Sequence, residues 1–172
     1  IVDNDRTMFE SRISAGASDK LPCSEKLNIS SWSYDMEGHA KKCVERYCEL
    51  ASKTTQQIYK VSTPCLDDSH FKEEEMKSVG ELSHVCFQIV LTCLYLARIG
   101  RPDILWSVNK LARSITKWTK SCDKRLNRLI SYIHHTCEHK QYCHVCNTAK
   151  QCRLGLFQDS DFAGDLEDSK ST

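Results

Sequence analysis

The strongest apolar periodicity runs from Val79 to Asp103, "VGELSHVCFQIVLTCLYLARIGRPD". Val85, Ile89, Cys93 and Leu96 recur at helical spacing, and Leu82, Phe87, Val90, Leu91 and Leu94 widen the stripe. That pattern predicts a helix buried on most sides. Gly100 and Pro102 end it. Pro102 then suits the first position of a following helix, "DILWSVNKLARSITKW", with Asp103 near its positive end. Its apolar stripe is Ile104, Leu105, Val108, Leu111, Ala112 and Ile115. A third helix, "CDKRLNRLISYIHH", turns Leu126, Leu129, Ile130 and Ile133 inward, with Thr119 or Ser121 as its cap. Short joints between the three predict a compact bundle.

Upstream, "EGHAKKCVERYCELAS" places Ala40, Cys43, Val44, Tyr47, Leu50 and Ala51 on one helical face and charges on the other. The first segment, "IVDNDRTMFESRIS", predicts a short helix with Val2, Met8, Phe9 and Ile13 inward, and the Ser-rich residues 17–33 predict a loop. "TPCLDDSHFKEEE" (residues 63–75) reads as a solvated connection. After residue 138 the texture becomes β-prone. "KQYCHVC" and "CRLGLFQDSDF" predict a hairpin or two adjacent strands.

Composition narrows the class. The chain has 172 residues, is 40% hydrophobic and 27% charged, and carries a formal net charge of +1. It can bury a core, and any nucleic-acid surface must be a local patch. No apolar run is long enough for a transmembrane helix. The opening residues lack a signal-peptide pattern and read as the interior of a longer chain. Eleven cysteines, an odd number spread along the chain, fit reduced, mostly buried thiols. An intracellular protein, cytoplasmic or nuclear and not secreted, is expected.

Three groups of side chains carry candidate chemistry. Lys110, Arg113, Lys117, Lys120, Lys124, Arg125 and Arg128 punctuate two successive helices without breaking their apolar stripes. Such a face tracks a phosphate backbone, or is an ordinary solvated helix face. Asp159 and Asp161 alternate along a strand and so share one face, the arrangement for a carboxylate that holds Mg²⁺, although a DxD before glycine also reads as a turn. The segment "HHTCEHKQYCHVC" offers His134, His135, Cys137, His139, Cys143, His144 and Cys146, with Cys152 beyond. A second CxxC or a finger-spaced histidine pair is missing, so no zinc is expected.

The order of three motifs carries a resemblance. "CLYLARIGRPDILWSVNKLARSITKWTK", then "RLNRLISYIHHT", then "GLFQDSDFAGDLEDSKST" is similar to the Pol polyprotein of Ty1/copia-type retrotransposons. Members carry a "YL…TRPDI…VN.L" segment, an Arg- and Leu-rich helix, and a "SDADWAGD…KST" segment. The match spans about residues 79–172, with Thr63-Pro64 resembling a "TP" found ahead of it, while the first sixty residues match loosely.

The resemblance implies an α+β chain. A mostly helical, thumb- and connection-like bundle (63–138) would follow an N-terminal helical and loop segment (1–62). The start of a truncated ribonuclease H-like domain (139–172) would come last. The polymerase palm, with its paired aspartates, would lie upstream; no "YxDD" is present. Asp159 would align with the first catalytic, Mg²⁺-holding carboxylate of ribonuclease H, and the remaining ligands would follow Thr172. Asp161 matches a second acid of the pattern without its catalytic role, and Phe162 stands where the family usually has Trp. The parent would be an RNA-directed DNA polymerase and ribonuclease H acting on RNA–DNA hybrids, with this piece inactive alone and no membrane partner. The alternative is a non-enzymatic helical module that binds nucleic acid or another partner, such as a domesticated remnant.

Overall fold

The computed structural model describes residues 30–145. One compact unit spans Trp32–Cys143; the other, Ile1–Ser31 with His144–Thr172, falls almost wholly outside the described residues. The described chain is α+β and mostly helical. In order it runs β1 (Ser30–Tyr34), α1 (Glu37–Leu50), α2 (Glu73–Lys77), α3 (Cys86–Ile99), α4 (Leu105–Arg113), α5 (Lys120–His135) and β2 (Gln141–Val145). β1 and β2 pair in a two-stranded antiparallel sheet.

The core is the meeting of four amphipathic faces. α1 contributes Ala40, Cys43, Val44 and Tyr47; α3 contributes Ile89, Val90, Cys93 and Leu96; α4 contributes Val108 and Leu111; α5 contributes Leu126, Leu129, Ile130 and Ile133. Each set follows the 3.6-residue repeat, which is why the stripes read from sequence coincide with the buried faces. α1 packs on α3 and α5, α3 packs on α4, and α4 packs on α5. Tyr47 carries a polar tip into this core, where its hydroxyl donates to Asn127 Oδ1 at 2.9 Å and receives Lys53 Nζ at 3.1 Å. Burial raises the Tyr47 pKa even though Lys53 pulls it down, so the phenol stays a neutral donor.

Three expectations need correction, and others fall outside the described residues. Ser30–Tyr34 forms a strand that overlaps the end of the stretch read as loop, because "SSWSY" alternates too weakly to signal one. β2 pairs with β1, more than a hundred residues earlier, a long-range partner that the spacing along the chain does not signal. Residues 152–162, the expected second strand, and the expected N-terminal helix lie outside the described residues. α3 is less enclosed than its composition predicts, since Phe87, Leu91, Tyr95 and Ile99 form an i, i+4 ridge that faces solvent. Finally, Thr119 occupies the cap position of α5, but its hydroxyl meets Ser121 Oγ and Cys122 Sγ and makes no cap hydrogen bond.

The turn before α3 is fastened to the start of α5. Gly80 N donates to Trp118 O at 3.1 Å, and Lys120 N donates to Ser78 O at 3.0 Å. A Cβ on Gly80 would lie 2.6 Å from Thr119 O and 2.7 Å from Trp118 Cδ1, so the close approach of the two backbones requires glycine.

Candidate nucleic-acid interface

The basic residues singled out in the sequence fall on two packed helices and the turn between them. Lys110 and Arg113 lie on the last turn of α4. Lys117 closes a short 3-10 turn, Ile115–Lys117, and Lys120, Lys124, Arg125 and Arg128 lie on α5. Their spacing keeps the inward stripe of α5 apolar, so the charges are driven to its other side. Arg113, Lys117, Lys120 and Lys124 are exposed, while Lys110, Arg125 and Arg128 are half-buried.

What half-buries them is the acidic connection. Asp68 accepts from Lys110 Nζ at 2.9 Å and pairs with Arg125 as well, so one carboxylate bridges α4 and α5. Glu75 pairs with Lys124. Arg128 donates to the Thr63 carbonyl at 3.0 Å and to its hydroxyl at 2.9 Å. The Arg125 guanidinium lies over the Phe71 ring, 4.5 Å from its centroid, and its Nε is buried without an acceptor. The Lys124 ammonium and the Lys72 backbone hold the Glu75 carboxyl below its ordinary value.

Residues 63–77 therefore form a strap lying along the basic face. Sequence reasoning read it as solvated and missed these contacts. The available signal was charge balance, since five acids gather at 67–75 ahead of the basic run at 110–128.

A second polar cluster sits in the "GRPD" segment. Arg101 is buried, with its side chain 3% exposed. It clasps Asp103 in a two-pronged pair, Nε to Oδ1 at 2.9 Å and an Nη to Oδ2 at 2.8 Å. Its remaining donors reach the Thr136 carbonyl at 2.7 Å and hydroxyl at 2.8 Å, just past the end of α5. The motif thus ties the joint between α3 and α4 to the far end of α5.

Asp159, Asp161, Cys146 and Cys152 lie outside the described residues. Among the described residues no three His, Cys, Asp or Glu side chains gather as a metal site. His134 and His135 meet edge to face, and His135 Nδ1 lies 2.9 Å from the Ser131 carbonyl, a helix-internal contact. Purified protein is expected to carry no stoichiometric zinc. Metal analysis checks this, and bound zinc whose chelation melts the fold would contradict it. Among the described residues no helix is long and apolar enough to cross a membrane. Comparison with protein-family models, with curated proteins and with solved structures finds no match to this chain.

Proposed function

We propose that the chain is part of a copia-type reverse transcriptase and ribonuclease H polyprotein. It comprises the helical region after the palm, running into the first strand of ribonuclease H. The observation that carries this reading is the ordered set of motifs from "YLARIGRPDI" through "RLNRLISYIHHT" to "SDFAGDLEDSKST". The architecture is compatible with it, because the first two motifs supply a helix joint and a basic helix. In the full protein, α4 and α5 contact the phosphates of an RNA–DNA hybrid, and Asp159 supplies one Mg²⁺ ligand. Mg²⁺ at such a site would stabilise the attacking and leaving oxygens. One carboxylate does not complete that clamp, and the sequence has no paired-aspartate YxDD motif, so the isolated chain is expected neither to cleave nor to polymerise.

The test is hybrid cleavage by a protein extended through a whole ribonuclease H domain. Asp159→Asn removes the charge that holds the metal and is expected to lower the rate about a hundredfold or more. Asp165→Asn and Asp168→Asn should leave cleavage near normal. An extended protein in which Asp159→Asn cleaves normally, or primer extension by the isolated chain, defeats the proposal. The exposed ridge Phe87, Leu91, Tyr95 and Ile99 favours a second reading, a non-enzymatic interaction module. An extended, folded protein with no hybrid cleavage would favour that one.

A further inference from the structure

We infer that the strap, residues 63–77, is a built-in competitor for polyanions: Asp68 and Glu75 occupy the places on α4 and α5 that phosphates take, and a nucleic acid must displace them. This rests on the reading of α4 and α5 as a nucleic-acid face.

Two observations carry it. First, the acids of the strap engage cations of both helices. Lys110 and Arg125 converge on Asp68, Lys124 holds Glu75, and Arg128 holds the Thr63 carbonyl and hydroxyl. Four of the seven basic residues on this face are thereby engaged from within the chain. Two cations from different helices on one carboxylate form an anion clamp, and Arg125 Nε adds a buried donor that the carboxylate leaves unused. A backbone phosphodiester, which like Asp68 spreads one negative charge over two oxygens, can take the same place in that clamp.

Second, the strap is built to let go. None of residues 63–77 is buried, so lifting it exposes little apolar surface. Its ion pairs are partly or fully solvent-exposed, the class of pair that contributes least to stability and is weakened by salt. A core element would be anchored by fully buried side chains such as those of α5; the apolar anchors of the strap, Pro64, Cys65, Leu66 and Phe71, are only half-buried, and Cys65 Sγ lies 2.7 Å from Ser107 Oγ on α4. Strap and polyanion thus compete for the same cations on similar terms. The polyanion gains advantage because it presents several phosphates in a row.

The experiment measures binding of a labelled RNA–DNA hybrid to the whole chain across a salt series. Asp68→Asn/Glu75→Gln frees Lys110, Arg125 and Lys124. It is expected to tighten binding on the order of tenfold at about 0.1 M salt, and to steepen the salt dependence by about two in log–log slope. Glu73→Gln/Glu74→Gln removes the same charge from the same segment. Glu73 pairs with Lys77 within α2, so this control frees no cation of the face and should bind like wild type.

An independent readout uses wild-type protein. Bound hybrid should speed tryptic cleavage after Lys72 and Lys77 by lifting the strap. This readout decides the matter if the Asp68/Glu75 variant fails to fold. Wild-type-like binding by a folded Asp68/Glu75 variant overturns the inference while leaving the nucleic-acid face intact. So does equal tightening by the control, or, where trypsin decides, hybrid that leaves the strap protected. Absence of hybrid binding by both wild type and the Asp68/Glu75 variant at low salt overturns the face itself, and the inference with it.

Discussion

Asp123→Ala is expected to destabilise the fold by about 2–4 kcal/mol, read as a lower urea midpoint with an unchanged slope. Asp123 sits in the first turn of α5 and accepts three hydrogen bonds from two other segments. Trp118 Nε1 donates at 2.7 Å, Glu81 N at 2.6 Å and Leu82 N at 3.3 Å. Trp118 is only 4% exposed, so water does not replace the lost acceptor. The unmet indole N–H is the larger part of the cost, because a buried donor without a partner loses its full solvation. The Glu81 amide borders solvent and loses less. The carboxylate also lies at the positive end of α5, a smaller favourable effect that is lost with it. A double-mutant cycle isolates the main interaction: in a Trp118→Phe background the same change at Asp123 should cost clearly less. An equal cost in both backgrounds would show that the indole bond is not what matters.

Asp123 also shows where sequence reading stops. The stripes of α1, α3, α4 and α5 were legible because one-dimensional spacing maps directly onto a helix face. Nothing in that spacing says that Asp123 reaches back some forty residues to Glu81 and Leu82, or that Gly80 is needed for two backbones to approach. The ridge on α3 was misread for a related reason. Phe87, Leu91, Tyr95 and Ile99 differ little in hydrophobicity from Ile89, Cys93 and Leu96, so composition cannot tell which side is covered. The basic face was legible as a pattern, but the strap that occupies it was not. Its charge, not its periodicity, makes the contact, and charge carries no register along the chain. β1 was missed because strand pairing depends on a partner far away in sequence, here β2.

The Arg101–Asp103 pair gives the other large effect, and its pH dependence distinguishes charge from shape. Asp103→Asn keeps the side chain's size but leaves the buried guanidinium facing a neutral amide. The expected cost near pH 7 is about 3 kcal/mol, the low end for breaking a buried pair, because the Asp103 side chain is itself 38% exposed. Arg101→Lys should also be costly, since one ammonium cannot hold both carboxylate oxygens and reach Thr136. Burial pushes the Asp103 carboxyl up, but the hydrogen bonds and charge of Arg101 outweigh it, and the folded value lies below the ordinary one. The sign follows from that depression. The folded state binds this proton less readily than the unfolded chain, so the charged pair contributes fully above the ordinary carboxylate value of about 4. The contribution falls as pH drops through the folded value, where Asp103 becomes protonated and resembles Asn. Urea melts of wild type and Asp103→Asn from pH 7 to pH 3 should therefore converge toward the acid end. A difference that stays constant across that range would mean that Asp103 acts through packing, and that Arg101 is held by Thr136 and Tyr132 without need of the charge.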